Sequence, residues 1–491
     1  MSTAAKPTKV NIHNIQGDVL SGLPKKTQTF MFFKINNGKR FVTDLAKLAP
    51  LIKTVAQSLQ DREAIDKHKK EKKPGLIKLV GANISLTSTG LQAVGLSGTA
   101  IANTSLTEPV FQAGAVSDAQ NVLNDPLLPP DAPKNPGKPD WDPEFLDRVD
   151  GLLLVAGDSH KTVDEKIKEI RQVFPADPNH SSITIVKTIV GDVRPDPEGG
   201  HEHFGFLDGI SNPLIAGFDK PVPGPEPIDA SNTLTGYVND GDWTKDGSFL
   251  VFRYLFQKVP EFNNFLQANA LKKDPITSND LDETAGSDLL GARLVGRWKS
   301  GAPVDITPFK DNLALANDKN RRNNFEFADE FRDNNKCPWA SHIRRTNPRA
   351  DVRQAPIAPR RIMRRGIAFG PEVTPEEKTS GTTQQGRGLL FACYQANITN
   401  AFQFIQKNWS NNPTFPFIGK DILPGFIPGV DPLIGQVKGP REMTGHDPLT
   451  ANDPDQTPLS METFILPRGG AYLFVPPIKL LRELNKHIPS S

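Results

Sequence analysis

The stretch Asp150–Ala156 (DGLLLVA), followed by Ser159–Phe174 and then Ser182–Val190 (SITIVKTIV), decides the fold. The first is a short apolar run of the kind that forms a buried strand. The second places Val163, Ile167, Ile170 and Val173 on one helical face, and the third alternates as a strand does. Upstream the same order occurs. Thr27–Ile35 (TQTFMFFKI) is a β run rich in aromatics, Phe41–Leu59 carries apolar residues at helical spacing, and Gly75–Leu86 (GLIKLVGANISL) resembles a second strand. Thr87–Gly90 then opens a short helix. Strand, helix and strand thus occur twice before residue 200, the split βαβ order of a ferredoxin-like domain.

The second half repeats that order. Phe249–Phe256 (FLVFRYLF) is a strand followed by a helix over Val259–Leu271; Arg387–Gln395 (RGLLFACYQ) is a strand followed by a helix from about Ile398 to Trp409; Ala471–Pro476 closes the sheet. Between them lies a long segment, roughly 272–386, dense in Arg, Asn and Pro. A second proline-crowded stretch, Asn124–Asp147, reads as a surface excursion. The expected class is α+β: two ferredoxin-like domains with antiparallel sheets, residues 1–220 and 221–491, the second carrying a long loop insertion. Long loops inside compact domains are often functional.

Composition narrows the function. The chain of 491 residues has room for buried cores. Its 58 basic and 56 acidic residues leave a net charge of +2, so no overall field favours nucleic acid or an anionic membrane, and neither is an expected partner. Cys337 and Cys393 lie outside any Cys-x-x-Cys spacing and read as core residues, which argues against zinc, iron–sulfur and disulfide frameworks. There is no apolar leader and no run of eighteen apolar residues. Sequons at Asn83, Asn103, Asn179, Asn397 and Asn408 would permit glycans in a secreted protein, so the location is either secreted or cytoplasmic.

Three stretches carry chemistry. Gly205–Pro213 (GFLDGISNP) holds Asp208 between glycines that let the backbone approach a flat ligand; the plainer reading is an Asx turn. Cys337–Arg349 (CPWASHIRRTNPR) sets His342 amid cations and between two prolines, and a neutral imidazole is a common iron ligand. Arg360–Ile367 (RRIMRRGI) adds further arginines. Such a cluster is either a solvated or phosphate-binding face or a set of cations that neutralises buried carboxylates such as haem propionates. His201 and His203, without further ligands at useful spacing, read as structural or haem-edge residues.

Taken in order, Gly205–Gly209, the Cys-Pro-x-Ala-x-His-Ile-Arg context of His342, Arg364–Gly366 and Gly388–Phe391 (GLLF) resemble the dye-decolourising haem peroxidases, most closely the fungal branch with long insertions. The resemblance runs from Asn14–Asp18 (NIQGD) to the last strand. It implies one haem b per chain with His342 as the proximal iron ligand, Asp208 as the distal acid and Arg364 as the distal arginine, with Arg365 as its alternative. It further implies that Leu389 and Phe391 narrow the peroxide channel, that Arg353 meets a propionate, and that Gly209, Ile210, Ser211, Asn347, Pro348 and Arg349 line the haem. Trp409 matches a surface oxidation site of some relatives; the plainer reading is a helix-end Trp packed on the core. The implied activity is hydrogen-peroxide-dependent oxidation of dyes, phenols and other aromatics through a haem ferryl intermediate, with Mn2+ as a further substrate and a homo-oligomer as the assembly. The alternative is a haem-binding or haem-transport protein with little turnover.

Two departures from the family stand out. Phe369 occupies a position where the family often has Tyr, and it is a poor electron relay. Ala396–Phe402 lacks the acid that in many relatives bonds the proximal histidine, so a raised iron potential is expected unless another carboxylate reaches the far nitrogen of His342. An Asp with an ordinary pKa of about 3.9 in the distal role predicts activity at acidic pH.

Overall fold

The computed structural model describes residues 7–177, 180–327, 334–352, 357–416 and 426–489. Four strands come from the first half: β1 (Thr27–Ile35), β2 (Val80–Leu86), β3 (Gly151–Gly157) and β4 (Ile183–Asp192). The second half supplies β5 (Ser248–Gln257), β6 (Met363–Arg364), β7 (Ile367–Phe369), β8 (Gly388–Gln395) and β11 (Ile465–Val475). These nine form one antiparallel sheet in the order β4-β1-β3-β2-β11-β5-β8-β6, with β7 also paired to β8. The halves meet where Phe474 of β11 pairs with Leu86 of β2. A separate ribbon pairs β9 (Glu442–Met443) with β10 (Leu459–Ser460).

The sheet curls until its edges touch. A Cβ on Gly191 of β4 would stand 2.5 Å from Ile367 and 2.8 Å from the Ala368 carbonyl oxygen of β7, so only glycine fits there. Inside the curl, Phe30 and Phe32 of β1 lie 5.2 and 4.9 Å from Phe252 of β5 between ring centroids, although three strands separate β1 from β5 in the sheet. Each such ring removed from water contributes about 1.5–3 kcal/mol. The halves therefore share a core as well as a sheet.

Several elements differ from expectation for identifiable reasons. The helix expected over residues 41–59 is two helices, Gly38–Leu48 and Val55–Lys70. Pro50 lacks the N–H to continue the first, and Thr54 starts the second through a capping box with Gln57. The excursion at 124–147 is anchored inward: Trp141 and Phe145 are buried, and the Trp141 indole and Arg253 both donate to Asp125. The long insertion contains a helix, Glu283–Val295, that the sequence pattern does not announce. Its glycines weaken the helical signal, yet they permit packing, since a Cβ on Gly286 would lie 2.1 Å from the Leu271 carbonyl oxygen. Beyond Ile398 the chain makes a short α-turn, Phe402–Phe404, and then a π-turn, Ile405–Ser410. Asn83, one of the sequon residues, is buried, with its side-chain oxygen accepting from the Asp18 N–H. Cys337 and Cys393 are both buried and free of disulfides.

At the start of β8, Arg387 and Glu377 form a fully buried pair. Arg387, with the N–H groups of Thr374, Gln384 and Gln385, holds the Glu377 carboxyl well below the usual range. Removing one partner strands a buried charge, so Glu377→Ala is expected to lose about 3–5 kcal/mol of stability, read as a fall in Tm. Because the folded pKa is depressed, this contribution is present above the unfolded carboxylate value and is lost as pH falls.

Candidate active site

The loop after β4 that carries Asp208 is shaped by Glu202. Its carboxylate accepts from the N–H groups of Phe204 and Phe206, each at 2.9 Å, and Gly205 takes a φ of 93° between them. The chain then reaches Asp208 and Gly209, whose φ of 79° excludes most side chains. Asp208 accepts from Arg364 Nη1 and from the Gly209 N–H. Burial alone would raise its carboxyl, but the Arg364 guanidinium and these hydrogen bonds hold it below the ordinary value. Arg364 faces Asp208, while Arg365 turns away and donates to the carbonyl oxygens of Asp18 and Leu20.

His342 opens a short helix, His342–Thr346. Its neighbours are internal ties: Arg344 makes a two-point pair with Asp351 at 2.6 and 2.8 Å, and Arg345 donates to the carbonyl oxygens of Trp409 and Asn412. His342 Nδ1 lies 2.9 Å from Asp431 Oδ2. Asp431 is fully buried and also accepts from the N–H groups of Leu433 (2.9 Å) and Ile434 (3.0 Å). Burial opposes its ionisation, yet the imidazole and the two N–H groups hold it below the usual carboxylate range. This corrects the expectation of a histidine without a carboxylate partner: the acid comes from the Gly429–Leu433 turn (GVDPL), 89 residues downstream of His342, instead of the segment after β8. An acid before proline signals a turn and nothing about which side chain it meets.

One cavity is lined by Asp208, Gly209, Ile210, Ser211, His342, Asn347, Arg349, Arg364, Leu389 and Phe391. Leu389 and Phe391 reach it from alternate positions of β8. Two expected residues, Pro348 and Trp409, do not line it. Pro348 is buried behind the wall, where its carbonyl oxygen accepts from the Asp351 N–H. Arg353 lies outside the described residues. Trp409 is 5 % exposed, with ring centroids of Phe404 and Phe415 each at 5.4 Å, and does not line the cavity. Of the two readings of Trp409, a surface oxidation site and a helix-end Trp packed on the core, the burial of its side chain at the end of the π-turn agrees with the second. His203 is buried, pairs through Nε2 with the Phe369 carbonyl oxygen at 2.8 Å, and is held neutral by burial at a pKa of about 4. Neither it nor His201 reaches the cavity wall.

Arg361, from the Arg360–Ile367 stretch, and Arg297, which carried no motif, also line the cavity. Burial presses Arg297 and Arg349 down to about 9 and Arg361 to about 10; neighbouring cations add to this, while Glu326 partly offsets it at Arg349 and Arg361. Asn347 Oδ1 is buried without a partner among the described residues. Cations crowded against their own repulsion, apolar walls, an imidazole backed by a carboxylate, and a glycine at 209 whose Cβ would meet nothing within 4 Å together suit a flat apolar macrocycle bearing carboxylates. These residues fit haem.

Fold and site define an α+β oxidoreductase scaffold with an acid–guanidinium pair and a carboxylate-backed imidazole on one cavity. Comparison with known proteins gives its family. Residues 14–195 match the DyP dimeric alpha+beta barrel domain, and residues 290–416 match the C-terminal domain of Dyp-type peroxidases. A dye-decolorizing peroxidase of Mycetinis scorodonius is 38% identical over 98% of this chain and 89% of its own; one of Auricularia auricula-judae is 38% identical over 96% and 87%. The structure of a point mutant of the Pleurotus ostreatus dye-decolorizing peroxidase superposes with a TM-score of 0.88 at 43% identity, covering 97% of this chain and 99% of that one. The chain belongs to the dye-decolourising peroxidase family. It is a haem-dependent peroxidase that uses hydrogen peroxide to oxidise dyes and phenols. Among the described residues no helix is long and apolar enough to cross a membrane.

Proposed function

We propose that His342 binds the iron of haem b through Nε2, and that Asp208 and Arg364 handle the protons of peroxide. The observation that carries this reading is the presence of the Asp208–Arg364 pair and of His342, backed by the buried Asp431, on the walls of one cavity. Haem, when bound, supplies the iron that takes up peroxide and holds the oxidising equivalents. The rest belongs to the protein. Asp431 fixes the His342 proton on Nδ1 and leaves Nε2 with its lone pair. Arg297, Arg349 and Arg361 would neutralise the propionates, with Ser211 and Asn347 as hydrogen-bonding partners. Asp208, as carboxylate, takes the proton from one peroxide oxygen and returns it to the other as the O–O bond breaks, and Arg364 offsets the negative charge on the departing oxygen.

Haem titration followed by the Soret band tests the ligand assignment: wild type gains a sharp band at one equivalent and His342→Ala does not. A His342→Ala protein with an unchanged band would refute it.

The depressed carboxyl of Asp208 sets the pH dependence. The charged groups facing it are Arg364, His342 and Glu202. Its base form is present above its folded pKa and is lost only as pH falls through that value, which lies below 3.8. The rate of reaction with peroxide is therefore expected to stay level from neutral pH down to that ordinary carboxylate value and to fall only below it, measured by stopped flow.

Leu389 and Phe391 are proposed to restrict the cavity to peroxide, leaving bulky dyes outside. Leu389→Ala is expected to lower the KM of a small phenol such as 2,6-dimethoxyphenol, which a related dye-decolorizing peroxidase binds, with the KM of bulky dyes unchanged. Trp409, packed between Phe404 and Phe415, is read as core, and Trp409→Phe is expected to leave bulky-dye turnover intact. Mn2+ oxidation, a homo-oligomer, secretion and the division near residue 220 rest on the resemblance and the sequence pattern.

A further inference from the structure

We propose that Asn212 is a positioning residue for the peroxide reaction: its carboxamide fixes the main chain of Arg364 relative to the loop that carries Asp208. The inference rests on the roles proposed above for Asp208 and Arg364.

β6 is the edge strand of the sheet. It pairs with β8 through Met363 opposite Tyr394 and Arg364 opposite Cys393, and the Arg365 N–H donates to the Ala392 carbonyl at 2.7 Å. In an antiparallel ladder alternate residues turn their N–H and C=O to the partner strand, and the residues between turn theirs away. The N–H and C=O of Arg364 thus face the open edge. Asn212 meets both: its Nδ2 donates to the Arg364 carbonyl at 3.1 Å, and the Arg364 N–H donates to its Oδ1 at 3.0 Å. A primary carboxamide carries an acceptor and donors side by side, as a peptide group does. Asn212 therefore acts as a neighbouring strand one residue long.

The consequence is geometric. Asn212 lies four residues after Asp208 on the same loop, and Pro213, buried, restricts the chain beyond it. The loop grips Arg364 twice, at the guanidinium through Asp208 and at the backbone through Asn212. With the first contact alone, the long arginine side chain and the loop could shift together. The second attachment fixes the root of the side chain, so the carboxylate and the guanidinium meet in one place. Arg365 is held independently, by Lys25 on its carbonyl oxygen and by the arm carbonyls on its side chain. The strand therefore keeps its seat when Asn212 is changed.

The side-chain chemistry makes the effect specific. Asp at 212 has no donor for the Arg364 carbonyl, and its charge would compete with Asp208 for the guanidinium. Misplacing a reacting group by about 1 Å can reduce a rate by about 10²-fold.

The test uses the haem-loaded enzyme and its Asn212→Ala, Asn212→Asp and Arg364→Leu variants. Three quantities are measured: the stopped-flow rate with hydrogen peroxide, the cyanide affinity of the ferric haem from the Soret shift, and the KM for a bulky dye. Asn212→Ala is expected to slow the peroxide reaction by about 10- to 100-fold and to weaken cyanide binding, with the dye KM unchanged; Asn212→Asp is expected to exceed it in both. An Asn212→Ala enzyme with wild-type peroxide rate and cyanide affinity, and only a lower Tm, would overturn the proposal and leave the Asp208–Arg364 reading intact. An Arg364→Leu enzyme with the wild-type rate would bring down that reading, and this inference with it. If Asn212→Ala does not load haem, Asn212→Ser is read by the same measurements and the same criteria.

Discussion

Asp208→Asn is expected to slow the reaction of the ferric enzyme with hydrogen peroxide by about 10²- to 10⁴-fold, the range for loss of a positioned general base. The substitution keeps the side chain's shape and can still accept a hydrogen bond from Arg364, but an amide does not take up the proton that must leave one peroxide oxygen and reach the other. Haem content and the resting spectrum are expected to stay close to wild type, because Asp208 contributes no ligand or propionate contact in the proposed arrangement. Arg364→Leu is expected to slow the same step by about 10²- to 10³-fold, as loss of one charge-stabilising donor does in other active sites. The paired outcome is informative. If both variants react with peroxide at the wild-type rate, the acid–guanidinium pair is only a fastening of the loop to β6, and the proton must travel by another route.

The second large effect concerns Asp431. Asp431→Ala removes the acceptor of the His342 imidazole and of two backbone N–H groups in a fully buried position. Partners of this kind orient a ligating imidazole and increase its basicity, and their loss typically costs about 10- to 100-fold in affinity for the bound group. Haem titration of the apoprotein is expected to show that loss. In the protein that remains loaded, spectroelectrochemistry is expected to give a higher ferric/ferrous potential, because a less basic imidazole stabilises the ferric state less. Asp431→Asn retains an acceptor for Leu433 and Ile434, so it separates the effect on the imidazole from a general loosening of the turn. An unchanged potential and haem affinity in Asp431→Asn would mean that the histidine needs no carboxylate behind it.

The parts of the site that could be read in advance were those held close together in sequence. Asp208 with its glycines, His342 between prolines, and the alternating Leu389 and Phe391 are each set by a local backbone shape that few residue types satisfy. The strands were equally legible, because a two-sided apolar run such as Thr27–Ile35 has few other uses. What escaped were contacts made across distance. Asp431 looks like an acid in a turn until the fold sets it against His342. Arg297 follows a helix that its own glycines obscure. The spacing of Phe402, Ile405 and Trp409 leaves both a surface and a core reading of Trp409 open, and the two halves gave no sign that one strand would weld them into a single sheet.

That welding strand governs the order in which the protein can be made. β11 is the last strand in the chain, yet it sits in the interior of the sheet between β2 and β5, and its Ile465 and Pro467 belong to the cavity wall. On a ribosome the first half can assemble as it emerges. β2 and β5 must then wait, each with an unpaired edge, until more than four hundred residues have been synthesised. Unpaired edges invite pairing with other chains, so the nascent protein passes through a long interval in which chaperone protection matters. The cavity wall is complete only once β11 has taken its place.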